Sequence, residues 1–156
     1  MKDMPEIHVK ENITIKRKAG DIYRFWRNVE NLPHFIYHID SVKDLGEGRN
    51  RWTIKTPVGN ISWESEIIED KENEIIRWRS MPDSCVKNSG SLSLEEKEGS
   101  NATEATVELR FNPPVGHDSF LEGKILKVIT DVQMKDDLRN LKRIMESQIE
   151  ERAGYG

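Results

Sequence analysis

Residues Asn73–Glu96 read "NEIIRWRSMPDSCVKNSGSLSLEE". In the first half, Ile76, Trp78 and Ser80 fall on one side of an extended chain, and Ile75, Arg77 and Arg79 on the other. After the break at Met81–Ser84 a second extended run follows, Cys85–Lys97. Two strands joined by so short a connection lie antiparallel, because parallel neighbours need a long crossover. The same pattern extends in both directions. Glu6–Lys16, His38–Leu45, Arg49–Thr56, Asn60–Glu69, Glu74–Ser80 and Ala102–Asn112 all read as strands, separated after His38 by breaks such as "GEG", "PVG", "DKEN" and "EGSN". An antiparallel meander is therefore expected. Between the first two strands, Ile22, Phe25, Trp26 and Val29 share one helical face, which predicts a helix near Ala19–Asn28. A short helical turn around Pro33 follows it.

The turns set a register. Folding about Pro57–Gly59 and Lys71–Glu72 pairs Thr53 with Glu64, Arg51 with Glu66, Arg77 with Glu66 and Arg79 with Glu64. Opposite charges across a ladder favour that pairing and mark a solvated outer face. The inner face then carries Trp52, Ser65 and Trp78 in one row, and Ile54, Trp63 and Ser80 in the next. On the hairpin turning at Glu98–Asn101, Leu92 faces Val107, Gly90 faces Leu109 and Asn88 faces Phe111. This face is apolar but interrupted by Ser65, Asn88, Gly90 and Ala105. It is underfilled unless another element supplies bulk.

The C-terminus supplies it. Met134, Leu138, Leu141, Met145 and Ile149 form one helical stripe, whereas Ile125, Ile129 and Val132 form another on nearly the opposite side. One straight helix cannot bury both against one sheet. A break is expected at Thr130–Gln133, where Thr130 and Gln133 fit a capping box. That gives a helix near Ser119–Ile129 and a longer one near Asp131–Arg152, spanning ~30 Å. The fold class is α+β: a seven-stranded, curved antiparallel sheet gripping a long terminal helix.

Bulk composition narrows the function. The chain of 156 residues, 35% apolar and 33% charged, suits one domain over residues 1–156. A net charge of −4 offers no broad basic field, so no nucleic acid partner is expected. Cys85 is the single cysteine and can form no internal disulfide. "MKDMPEIHVK" lacks the apolar core of a signal peptide, and no segment has the ~20 apolar residues of a membrane span. A soluble, cytoplasmic protein is expected, with a homodimer as plausible as a monomer.

Four segments taken together resemble a known family: "DIYRFWRNVENLPHFIYHIDSV", "RWRSMPDSCVKNSGSLSL", "LRFNPPVG" and "DDLRNLKRIME". Their order and spacing are similar to the polyketide cyclase/dehydrase and START-like (SRPBCC) superfamily. Within it they resemble proteins described as cyclase/dehydrase-like or coenzyme Q-binding-like. The resemblance covers almost the whole chain. It implies a helix-grip fold with a hydrophobic cavity between sheet and long helix. Members include lipid carriers, hormone receptors and cyclases, so the fold alone does not assign the activity.

The walls of such a cavity would be Trp52, Trp63, Trp78, Val107, Leu109 and Phe111 from the sheet. Leu138, Leu141 and Met145 would come from the helix, and Phe35 from the small helical region. Each tryptophan has an alternative role as plain core. Asn88 is the inward polar residue; a ligand, water or the backbone of Asn112–Asp118 would satisfy its amide. His34, His38 and Asp40 form only a weak metal set, because Pro33 and the strand-like "YHIDSV" make the two histidines straddle a helix-to-strand junction. His117 would stand at a cavity mouth. Pro113–Gly116 reads first as a stiff strand exit, and alternatively as a gate beside a lid at Gly116–Gly123. The carboxylates are expected mostly on the charged outer face or on helix surfaces, leaving no acid/base constellation, no metal and no cofactor. The expected function is binding or transport of a hydrophobic small molecule: a lipid, isoprenoid or polycyclic, polyketide-like compound. The alternatives are a cyclase/dehydratase-type enzyme and a protein-interaction module.

Overall fold

The computed structural model describes residues 6–56, 59–84, 86–112 and 120–155. A first strand, β1 (Ile7–Ile15), leads into helix α1 (Ala19–Arg27) and a 3₁₀ segment, Val29–His34. Six strands follow: β2 (Ile39–Gly46), β3 (Arg49–Thr56), β4 (Gly59–Lys71), β5 (Ile75–Ser80), β6 (Asn88–Glu96) and β7 (Thr103–Phe111). The chain then enters helix α2 (Phe120–Tyr155). The sheet runs in the order β1-β7-β6-β5-β4-β3-β2, antiparallel throughout. The meander is as expected, and β1 completes the sheet by pairing with β7.

Register was predicted correctly at one hairpin and not at two others. Across β6 and β7, Leu92 pairs with Val107, Gly90 with Leu109 and Asn88 with Phe111. Between β3 and β4 the pairing lies two residues from the expected one: Arg51 faces Glu64, Trp52 faces Trp63 and Thr53 faces Ser62. The ladder continues to Thr56 opposite Gly59, so the turn is shorter than a Pro57–Gly59 pivot allows. A two-residue slip keeps every side chain on its face, because the strand period is two. Between β4 and β5 the turn is longer than expected, with Asn73 at φ 66°, and an irregularity at Ile67–Glu69 shifts the ladder again. The charged outer face survives with new partners. Arg51 meets Glu64 at 3.3 Å, Arg79 meets Glu66 at 3.0 Å, and Arg77 meets Glu69 at 3.0 Å. Exposed pairs of this kind add little each, typically under about 1 kcal/mol.

Helix α2 corrects a second expectation. It is one continuous element of 36 residues, about 54 Å long, with no break at Thr130–Gln133. Neither proline nor glycine occurs between Lys124 and Ala153, so nothing in the backbone chemistry forces a stop. Among the described residues the buried stripe is Met134, Leu138, Leu141 and Met145. On the opposing side Ile129 and Val132 remain in water, 47% and 52% exposed, as does Val128 at 63%. Toward its C-terminal end the helix is tied to the start of the fold. The buried Arg17 guanidinium donates to the Met145 carbonyl at 2.7 Å and to Asp21 at 3.0 Å. Lys142 donates to the Thr14 carbonyl at 2.9 Å, and Asn140 to the Phe35 carbonyl at 3.1 Å. Among the described residues no helix is long and apolar enough to cross a membrane.

Gly90 decides how the inner face fills. It lies opposite Trp78 across the β5–β6 ladder. A Cβ at Gly90 would come within 2.5 Å of Trp78 Cζ2 and 2.9 Å of the Glu108 carbonyl oxygen. The missing side chain is the space into which the indole lies down on the sheet. Gly90→Ala should therefore destabilise the protein by about 1–3 kcal/mol, as overpacking does. It should also change the near-ultraviolet circular dichroism as the ring moves. Denaturant unfolding that matches the parent would show that the ring does not depend on this gap.

Candidate functional site

The strand directions place one edge of the sheet beneath the N-terminal half of α2. The starts of β2, β4 and β6 and the ends of β3, β5 and β7 all meet at this edge. There the sheet and helix do not close on each other, and a cavity of about 370 Å³ remains. Its wall is aromatic. The four tryptophans of the chain, Trp26, Trp52, Trp63 and Trp78, all line it. Trp52 and Trp63 stack at 6.2 Å with an interplanar angle of 4°. Trp78 lies 6.4 Å from Trp52 and 6.1 Å from Trp26, and Trp26 is 5.4 Å from Phe35. This linked network holds the rings in place by contact between faces and edges.

The structure brings most of the expected wall residues together. Trp52, Trp63, Trp78 and Asn88 line the cavity, as do Val107, Leu109 and Phe111. Phe35 and Leu138 border it from the helical side. Leu141 and Met145 are not among its lining. They are buried further along α2, where Arg17 and Lys142 fasten the helix beside the end of β1. The helix thus fills the core at one end of the sheet and leaves a gap at the other. Trp26, His38, Ile54 and Ile61 also line the cavity and were not expected there. For Trp26 the signal was present, because its helical face was already read as apolar. Cys85, Pro113–Gly116 and His117 lie outside the described residues, and Phe120–Gly123, the far part of the expected lid, belongs to α2.

The small polar residues on the inner face turn out to be engaged. Ser65 is fully buried, and its Oγ accepts the Trp52 indole N–H at 2.7 Å. Ser80 Oγ accepts the Asn88 backbone N–H at 3.0 Å. The Asn88 side-chain amide donates to the Val86 carbonyl at 3.4 Å, and of the loop backbone expected to meet it, residues 113–118 lie outside the described residues. These serines are therefore braces for the wall.

Asp137 is an exception to the expectation that the carboxylates lie mostly on the charged outer face or on helix surfaces. It is half-buried and lines the cavity from α2. Burial pushes its carboxyl up to about 7, and the neighbouring negative charge of Asp136 adds to the shift. No donor among the described residues offsets it. The position was readable in principle: Asp137 follows Met134 by three residues and precedes Leu141 by four, so it shares their helical stripe. His38 borders the same cavity, and loss of water around its ring lowers its pKa. The pair gives the site a carboxyl that is half neutral near pH 7 and an uncharged imidazole. Such groups exchange hydrogen bonds and protons with a ligand. Among the described residues no group of three His, Cys, Asp or Glu is placed to hold a metal ion.

Comparison with known proteins fits this geometry. Residues 15–139 match the family model described as polyketide cyclase/dehydrase and lipid transport. The chain belongs to that family. It is 32% identical to the DR_A0006 protein of Deinococcus radiodurans, over 87% of this chain and 95% of that one, with a TM-score of 0.70. Two further structures share the fold at lower identity. The ZhuI aromatase/cyclase of Streptomyces sp. R1128 is 15% identical over 93% of this chain and 96% of its own, with a TM-score of 0.73. A START superfamily protein of Mycobacterium smegmatis is 13% identical over 90% and 98%, with a TM-score of 0.75. No curated protein sequence matches significantly. The helix-grip architecture of this family is therefore the architecture of this chain, with α2 as the gripped helix.

Asp137 yields a pH prediction. Its folded pKa is raised above its ordinary value of 3.8. Between about pH 4 and 7 the folded chain therefore holds a proton that the unfolded chain has lost, and stability falls as pH rises through that window. Asp137→Asn should leave stability unchanged below pH 4 and raise it by roughly 1–2 kcal/mol at pH 8, a value reduced for partial solvent exposure. Unfolding curves at the two pH values test this. A variant whose stability differs from the parent by the same amount at both values would show that ionising Asp137 costs the fold nothing.

Proposed function

We propose that the protein binds a hydrophobic small molecule in the cavity under the N-terminal half of α2. The observation that carries this reading is the unfilled space itself. A volume of about 370 Å³ walled by four tryptophans is within the range of small-molecule sites, which are mostly apolar with a few placed polar groups. Close packing is the rule inside proteins, so a gap of this size held open by braced rings calls for an occupant. Asp137 and His38 would orient a polar atom on that occupant, such as a carbonyl oxygen. Lipids, isoprenoids and polycyclic, polyketide-like compounds all have the required apolar bulk.

Asp137 also favours a second reading, an enzyme of the cyclase/dehydratase type. A carboxyl poised near neutrality can protonate a departing hydroxyl or remove a proton beside a carbonyl. Turnover of a polyketide-like compound that disappears in Asp137→Asn, with binding retained, would decide for the enzyme.

Binding comes first, and a blocked cavity tests it. Ile54 is half-buried on the cavity wall, so a larger side chain there projects into the space. N-Phenyl-1-naphthylamine, a neutral apolar fluorophore, should brighten on binding the parent protein. Ile54→Trp should weaken that binding by about tenfold or more while thermal unfolding shows the fold intact. Unchanged affinity in the blocked variant would move the ligand elsewhere.

A further inference from the structure

Electrostatically, the cavity is one-sided. Four indoles and the rings of Phe35 and Phe111 line it. The face of an aromatic ring is its negative region. Asp137 is the carboxylate of the described lining, and neither lysine nor arginine occurs among those residues. His38, the other titratable group there, is held uncharged near neutrality because loss of water lowers its pKa. Asn88, Asn112, Thr130 and Gln133 complete the polar part of the described lining and carry no charge. The formal charge that this lining offers an occupant is therefore negative.

Asp137 differs from the carboxylate next to it in the chain. Asp136 is exposed and holds Arg139 at 3.1 Å. Asp137 is half-buried on the cavity, and no cation among the described residues offsets its charge. Loss of water and the repulsion of Asp136 both favour its neutral form. A cation in the cavity reverses that balance, because it attracts the ionised form. Indole faces attract the same charge, more strongly than other aromatic rings do. From this lining we infer that the occupant is a hydrophobic cation, an apolar body bearing one ammonium group held by the Asp137 carboxylate and the tryptophan faces. The inference rests on the binding function proposed above and adds the charge and chemical class of the ligand. A hydrocarbon would leave the carboxylate unmatched, and an anion would meet a like charge. A zwitterionic lipid headgroup is also disfavoured, since its phosphate would find no positive side chain among the described lining.

Intrinsic tryptophan emission is a direct reporter, since every tryptophan of the chain lines the cavity. Decyltrimethylammonium, 1-decanol and decylphosphocholine share an apolar chain and differ in charge. At pH 8, where Asp137 is mostly ionised, the parent protein should bind the ammonium compound most tightly of the three. Asp137→Asn should weaken that binding about tenfold and leave 1-decanol unchanged. The net charge of −4 attracts any cation weakly, so a second variant separates site from field. Asp136→Asn removes the same charge from outside the cavity and should not weaken binding of the ammonium compound. Equal affinity of the parent for decyltrimethylammonium and 1-decanol would overturn the cationic ligand and leave the cavity reading standing. So would an equal loss in the two variants. Decylphosphocholine bound as tightly as the simple cation would overturn the free ammonium in favour of a lipid headgroup. Failure of all three compounds to bind would remove the cavity reading and this inference with it.

Discussion

The contact between Gly90 and the Trp78 indole shapes the rest of the site. A sheet face packed against a helix usually fills itself with branched side chains standing upright. Here one strand position carries no side chain, and the neighbouring ring lies across it. Trp78 then sits low enough to be met from both sides, by Trp26 from α1 and by Trp52 from β3. Trp63 extends the line through its stack on Trp52. Rings linked in this way resist collapse into the space above them, because moving one breaks contacts with its neighbours. The cavity is thus a consequence of a wall that is rigid and low, and not of missing core material in general.

The two halves of α2 have different tasks. Its C-terminal half closes the core with Leu141 and Met145, fully or almost fully buried, and is anchored by Arg17, Lys142 and Asn140 to backbone carbonyls. Burying a guanidinium is expensive unless it is paired and hydrogen-bonded, and Arg17 is both, through Asp21 and the Met145 carbonyl. That anchor allows the N-terminal half to roof the cavity without packing down onto it. Val128, Ile129 and Val132 on its outer side gain nothing from approaching the sheet, since they point away from it into water.

Much of this was legible in the sequence, and the failures have physical causes. Alternation and short breaks gave the seven strands and the antiparallel meander. The β6–β7 register followed directly because its turn was bounded by Glu98–Asn101 and carried no irregularity. The β3–β4 and β4–β5 registers failed because turn length is weakly encoded, and charge pairing looks equally good after a slip of two. The helix break failed on a false premise, that every apolar stripe must be buried. Protein surfaces remain largely apolar, and three exposed aliphatic residues are tolerated. Asp137 was missed because a carboxylate beside another carboxylate, on a charged helix, reads as surface. Only its spacing from Met134 and Leu141 said otherwise.

Asp137 constrains what the space can hold. A half-neutral carboxyl in an apolar wall is a stability liability, tolerated by a structure whose packing elsewhere is tight. It lines the cavity from the helix, while the linked indoles of Trp52, Trp63 and Trp78 line it from the sheet. A bound molecule would meet apolar faces on one side and a group able to share a proton on the other. One that exploits both needs an apolar body and a polar group placed toward the helix, and the rigid wall limits how far that body can shift to bring the group within reach.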